Sequence, residues 1–251
     1  MGFTVQIWLF APLNGGLTGQ LGRPIIVGPT HKKTVWRAHL TDQIKHPRFH
    51  DEAWVETYIA TVTEKRPERI EMFGHIADLI NDLPFPSPHV VELAAGSGML
   101  AVALFKNVKH LTYESVDYSA PMVEKARESL SGFGDRVTLH QGDLNSRGWE
   151  SVLSPKIHVI VSNMAIHDLG NEMNVLKVYR KVRDLLQPGG LLINADLVLT
   201  EENEVEDDKG KLKVSHHLEL LKEIGLEDVQ CSLTFGYYAC VTGQHPTRTH
   251  G

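Results

Sequence analysis

Four groups of polar side chains follow short apolar runs between residues 92 and 168, at spacings that suit a bound nucleoside. The first is Glu92-Leu93-Ala94-Ala95-Gly96-Ser97-Gly98. Gly96 and Gly98 let a backbone turn tightly and approach a ligand at the start of a helix. The second is Val116-Asp117-Tyr118-Ser119, and a carboxylate about twenty residues beyond a glycine loop can accept both ribose hydroxyls of an adenosine. The third, Gln141-Gly142-Asp143-Leu144, offers an acid to the adenine amino group. The fourth runs from Ser162-Asn163 to His167-Asp168 and brings an imidazole, which titrates near neutral pH and can take a proton from a hydroxyl or amine. Asp and Asn often cap helices after strands, which covers any one of these groups. It does not cover four in order.

The elements that must carry them follow from the apolar patterning. His89–Leu93, Thr112–Val116, Val137–His140, Ile157–Ser162 and Leu191–Leu199 read as strands, with helical segments between them, including Leu100–Lys106 and one opening at Pro121. Such alternation implies a parallel sheet covered on both faces, and open sheets of this kind bind ligands at the carboxyl ends of their strands. Pro188-Gly189-Gly190 is expected to form the turn into the fifth strand. A helix over His217–Ile224, closed by Gly225, precedes two strands near Val229–Leu233 and Tyr237–Gly243. Only the neighbourhood of Gly236 separates these two, so they pair antiparallel. The expected fold is α/β, a Rossmann-like seven-stranded, mostly parallel sheet with helices on both faces and a C-terminal antiparallel hairpin.

Ahead of the sheet the texture differs. Residues 1–33, punctuated by Gly15, Gly16, Gly19, Gly22, Gly28, Pro12, Pro24 and Pro29, read as an arm or a disordered leader, of which about Met1 to Thr30 is expected to be dispensable for cofactor binding. Residues 34–84 read as helices divided at Pro67, with Trp54, Tyr58 and Val62 on one stripe and Ile70, Phe73, Ile76 and Ile80 on another, both expected to pack into a core. Residues 85–245 form the αβ core and 246–251 a tail.

Composition narrows the partners. Lys and Arg number 25 against 31 Asp and Glu, a formal net charge of −6, which speaks against a nucleic-acid backbone as main partner. No apolar run is long enough to cross a bilayer, and no basic residue precedes Ile7–Phe10 as a signal peptide would require, so the expected location is cytoplasmic. The two cysteines, Cys231 and Cys240, are too few for a disulfide framework and read as free thiols. His46 and His50 have the spacing of a helical metal pair, but Pro47 lies between them and no third ligand suggests itself, so no metal is expected. The sequence leaves the oligomeric state open.

From about Ile70 to Gly243 the chain resembles the class I S-adenosylmethionine-dependent methyltransferases, in particular their small-molecule branch. Val90–Gly98 is similar to the family's first motif. Asp117 with Ser119 and Met122 is similar to the second, Gly142-Asp143-Leu144 to the third and Ser162-Asn163 to the fourth, and the closing hairpin completes the likeness. The resemblance implies S-adenosyl-L-methionine as cofactor and a small molecule as methyl acceptor. It implies that Gly96 and Gly98 shape the methionine pocket, that Asp117 holds the ribose, and that Asp143 and Leu144 read the adenine; Glu92 and Ala94 of the first motif are further candidate cofactor contacts. Tyr118 would lie against the adenine face and Asn163 would stand near the amino-acid moiety, with Met122 a further candidate cofactor contact. His167, a few residues past the end of strand four, either takes the acceptor proton as a base or caps the start of the next helix. Two departures matter: Ala94 stands where the first motif usually has glycine, and the stretch from Glu201 to Lys213 is short and charged where many relatives carry a helical cap. The lid must then come from the N-terminal helices.

Gly96-Ser97-Gly98-Met99-Leu100-Ala101 also fits the loose dinucleotide fingerprint, so an NAD(P)-dependent oxidoreductase is the rival reading. Glu92 beside the loop disfavours a pyrophosphate and tolerates a sulfonium with an ammonium, and the terminal hairpin suits a methyltransferase better. A non-catalytic S-adenosylmethionine-binding protein is the third possibility.

Overall fold

The computed structural model describes residues 47–200 and 210–247. The N-terminal arm, residues 34–46 with His46, and most of the Glu201–Lys213 stretch lie outside the described residues.

A 3₁₀ turn, Pro47–His50, leads into α1 (Glu52–Lys65), whose first turn is capped by Asp51 accepting the Trp54 N–H at 2.8 Å. Pro67 then opens α2 (Glu68–Asn81), where its missing N–H costs nothing. Next come β1 (His89–Leu93), α3 (Met99–Asn107), β2 (Thr112–Asp117), α4 (Ala120–Leu130), β3 (Val137–Gln141) and β4 (Ile157–Asn163). The chain ends with α5 (Glu172–Leu185), β5 (Leu186–Leu197), α6 (Val214–Glu223), β6 (Glu227–Thr234) and β7 (Tyr238–Gln244).

The seven strands lie in the order β3-β2-β1-β4-β5-β7-β6. β1 to β5 are parallel, and β7 inserts antiparallel between β5 and β6. Alternate residues of each strand serve two apolar cores. Val90, Tyr113, Val159 and Ile193 meet α2, α3 and α4 on one face, and Val91, Val116, Ile160 and Leu192 meet α5 and α6 on the other. Met72, Phe73, Ile76, Ala77 and Ile80 of α2 belong to the first core.

Two expectations need correction. Ile70 does not pack with its stripe: it is 66 % exposed, because the buried face of α2 runs through Met72, Phe73 and Ile76 instead. Pro188-Gly189-Gly190 is not a turn ahead of the strand. Leu186 already pairs with Ile157, and the two glycines sit in an irregularity before Leu191 pairs with Val159. A Cβ on Gly190 would stand 2.9 Å from Gln187 O and 3.0 Å from His158 O, so only glycine fits that kink.

Candidate active site

The strand order brings the carboxyl ends of β2, β1, β4 and β5 side by side, and the polar residues gather there. After β1 the backbone is held left-handed three times, at Ala94 (φ 52°), Gly96 (φ 57°) and Gly98 (φ 77°), before α3 begins at Met99. Glycine adopts that region freely, whereas Ala94 is strained there and is held by its N–H donating to Val116 O at 2.7 Å. A side chain at Gly98 would meet Leu130 Cδ1 at 3.1 Å, and one at Gly96 would stand 3.9 Å from the Met122 sulfur. Met122 thus lies against the loop, on a helix whose first turn is capped by Ser119.

Asp117 ends β2, buried beside the loop. Its Oδ2 accepts the Gly96 N–H and its Oδ1 the Ser119 N–H, both at 2.8 Å. A carboxylate has about four acceptor sites, so both oxygens keep a lone pair suited to a pair of hydroxyls. Burial pushes its pKa up, against these two backbone donors. Glu92, at the buried end of β1, accepts from the Tyr113 hydroxyl at 2.6 Å, and burial raises its pKa to about 8 despite that bond and the Arg69 charge.

The remaining sequence candidates surround these two acids. Tyr118 is half-buried, edge-on to His50 at 4.9 Å between ring centroids. His50 belongs to the turn before α1, and Phe49 O in that turn accepts from Ser119 Oγ. Trp54 and Tyr58 of α1, expected to pack into a core, instead form a half-buried aromatic cluster with Phe49. Asp143 is exposed with Oδ1 on the Asn145 N–H, while Leu144 behind it is buried. Asn163 is buried and accepts from the Tyr238 hydroxyl.

His167 lies in a 3₁₀ turn, Ile166–Leu169, just past β4. Its Nδ1 is 2.6 Å from Asp196 Oδ1, and its backbone N–H donates to Asp196 Oδ2 at 2.7 Å. Asp196 is fully buried near the end of β5. The pairing fixes the proton on Nδ1 and leaves Nε2 as the basic atom, 3.4 Å from Asp168 Oδ1. Burial by itself would lower the His167 pKa; the charge and hydrogen bond of Asp196, with Asp168, outweigh it and raise it. Sequence reasoning did not single out Asp196, although it stands near the carboxyl end of the strand beside β4, where the same rule would look for it. Asp168, the neighbour in sequence, faces the other ring nitrogen at the longer distance of 3.4 Å.

The groove of about 640 Å3 lined by Phe85, Pro86, Asn107 and Lys109 opens at the opposite edge, where β1 and β2 begin, and holds none of these residues. Among the described residues no group of three His, Cys, Asp or Glu side chains is placed to hold a metal ion, and no helix is long and apolar enough to cross a membrane.

Sheet order, glycine loop and acids at successive strand ends define a nucleoside-binding Rossmann-like fold of the methyltransferase type. Residues 91–192 match a family model described as a methyltransferase domain. The carboxy-S-adenosyl-L-methionine synthase of Aeromonas salmonicida is 25 % identical over 188 residues, covering 72 % of this chain and 71 % of that protein. Among solved structures, an O-methyltransferase family protein from Burkholderia thailandensis superposes with a TM-score of 0.65 at 18 % identity, over 82 % of this chain and 64 % of that one. Human N-acetylserotonin methyltransferase, solved with S-adenosylmethionine, gives 0.62 at 14 % identity, over 82 % of this chain and 60 % of that one. The chain therefore spans less than two thirds of those two solved proteins. Residues 91–192 are thus similar to a methyltransferase domain, and the fold is that of these solved methyltransferases.

Proposed function

We propose that the protein transfers a methyl group from S-adenosylmethionine to a small-molecule acceptor that must lose a proton, a hydroxyl before all, with His167 as the base. The observation that carries this reading is the His167–Asp196 pair, a buried carboxylate fixing an imidazole at the end of β4. A carboxylate on Nδ1 sets the tautomer and orientation that suit Nε2 to act as a general base, and capping a helix calls for neither.

The residues present fit the cofactor. Asp117 keeps acceptor capacity for two ribose hydroxyls, and the left-handed loop at Gly96 and Gly98 admits a ligand close to its backbone. Met122 and Leu144 offer apolar contact to the adenine, with Asp143 at its amino group and Tyr118 at its face. Glu92 and Asn163 are assigned to the amino-acid end, below Ala94. The chemistry that S-adenosylmethionine supplies is a methyl already activated on a sulfonium. The protein's own task is then alignment, exclusion of water and removal of one proton.

With that methyl donor bound, His167 Nε2 would take the proton that the acceptor hydroxyl loses on methylation. Asp196 stabilises the imidazolium that forms. The half-buried rings of Phe49, Trp54 and Tyr58, carried by the turn Pro47–His50 and by α1, serve as lid over this edge. The free thiols Cys231 and Cys240 accord with a reducing, cytoplasmic setting.

Methyl-labelled S-adenosylmethionine offered with a panel of phenolic and aliphatic alcohols is the test. Label transfer by the wild type, lost in His167→Ala with S-adenosylhomocysteine affinity retained, is the expected result. Affinity for S-adenosylhomocysteine without transfer to any acceptor would leave a binding protein, and preference for NAD would restore the oxidoreductase.

A further inference from the structure

Arg69, on α2, is only 7 % exposed. No acid among the described residues lies within 4.0 Å of its guanidinium. Among the described residues its Nε is buried without a hydrogen-bond partner, its Cζ lies 5.2 Å from the Phe73 ring centroid, and Nη1 meets the Met99 sulfur at 3.9 Å. A guanidinium does not give up its proton inside a protein, and burying it without a counter-ion is strongly unfavourable. Its surroundings are those of the site. Met99 follows Gly98 directly, and the Arg69 charge acts on Glu92, Tyr58 and Tyr238, the last hydrogen-bonded to Asn163. Glu92 does not neutralise it, being held protonated up to about pH 8.

We propose that Arg69 is the carboxylate receptor of the active-site cleft, its planar fork waiting for the carboxylate of a bound ligand. That carboxylate belongs to the amino-acid end of the cofactor or to the acceptor; both present the same planar anion to a guanidinium. The inference rests on the methyltransferase reading above.

Calorimetric titration of the full chain with S-adenosylhomocysteine and with 5′-deoxy-5′-methylthioadenosine, which lacks the amino-acid end, separates the sources. For a cofactor carboxylate, Arg69→Met weakens S-adenosylhomocysteine about tenfold or more and leaves methylthioadenosine within about twofold. For an acceptor carboxylate, both nucleosides bind as in the wild type, but the thermal stabilisation that benzoate gives the S-adenosylhomocysteine complex disappears in the variant. Equal losses on both nucleosides mark a structural role and overturn the proposal, as does unchanged behaviour toward all three probes. If Arg69→Met does not fold, Arg69→Lys carries the same comparison, with a smaller loss on the same probe. A wild type that binds neither nucleoside overturns the methyltransferase reading itself, so that failure shows in the wild type and the failure of Arg69 only in the variants.

Discussion

Asp196 grips His167 at two points, its Oδ1 on the ring nitrogen and its Oδ2 on the backbone N–H of the same residue. The carboxylate thus fixes both the tilt of the imidazole and the course of the turn that carries it. Behind Asp196 lies a second buried histidine, His217, whose Nδ1 meets the Tyr179 hydroxyl at 2.8 Å. Burial drives the pKa of His217 down to about 4, so it stays neutral and does not compete with His167 for the negative charge. Asn194 Nδ2 donates to the same hydroxyl and closes the chain of contacts under the site.

The first prediction concerns pH. A base must be neutral to accept a proton, and the His167 pKa is raised, so turnover should climb as pH rises through a value above that of an ordinary histidine. Asp196→Asn removes the charge that raises it, moves the inflection to lower pH and lowers turnover by roughly 10²-fold or more. Stability shifts with the opposite sign. The protonated pair stabilises the fold below the unfolded histidine pKa, and that share is lost as pH rises through the folded value. Thermal unfolding should therefore show a larger loss for Asp196→Asn at about pH 6 than at about pH 9. A pH–rate profile with the same inflection in both proteins would remove Asp196 from the role.

Glu92 gives a second pH effect. Its folded pKa, about 8, exceeds that of an unfolded glutamate, so the folded state holds a proton the unfolded chain has released. Stability should fall as pH rises between the two values and stay reduced above them. Glu92→Gln keeps an acceptor for the Tyr113 hydroxyl without the charge. It is expected to gain on the order of a few kcal/mol over the wild type above about pH 8 and almost nothing near pH 4, read by chemical denaturation without ligand. S-adenosylhomocysteine affinity should fall in the same variant.

Ala94→Gly should stabilise the protein. At φ 52° the methyl group strains the backbone, and glycine relieves about 1 kcal/mol of it, less some added freedom in the unfolded chain. Urea titration is the measurement, and a destabilised variant would mean that the methyl contributes more by packing than it costs in strain.

Gly210 packs its backbone onto the turn that carries His167. A Cβ there would lie 2.8 Å from His167 O and 2.9 Å from Gly170 N, at φ 94°. Gly210→Ala must push that turn away, so turnover should drop about tenfold or more while affinity for S-adenosylhomocysteine changes little. Loss of cofactor affinity equal to the loss of turnover would show that the substitution disturbs more than the turn.

The sequence by itself determined the sheet, the glycine loop and the positions of Asp117, Asp143, Asn163 and His167 at strand ends. These features are local: apolar period, turn residues and the distance from one strand end to the next are written within stretches of a few dozen residues. Which charges face each other is not local. Asp196 is 29 residues from His167 and meets it only because β4 and β5 pair in the register Ser162 to Asn194 and Asn163 to Ala195. Nothing in the sequence singles out Arg69; only the packing of α2 against α3 closes water away from it. Trp54 and Tyr58 followed a core-like spacing, yet the turn at Pro47–His50 presents Phe49 to them and the three rings gather beside Tyr118. Burial and opposing partners decide the charge state of an acid or a histidine, and both are properties of the packed chain.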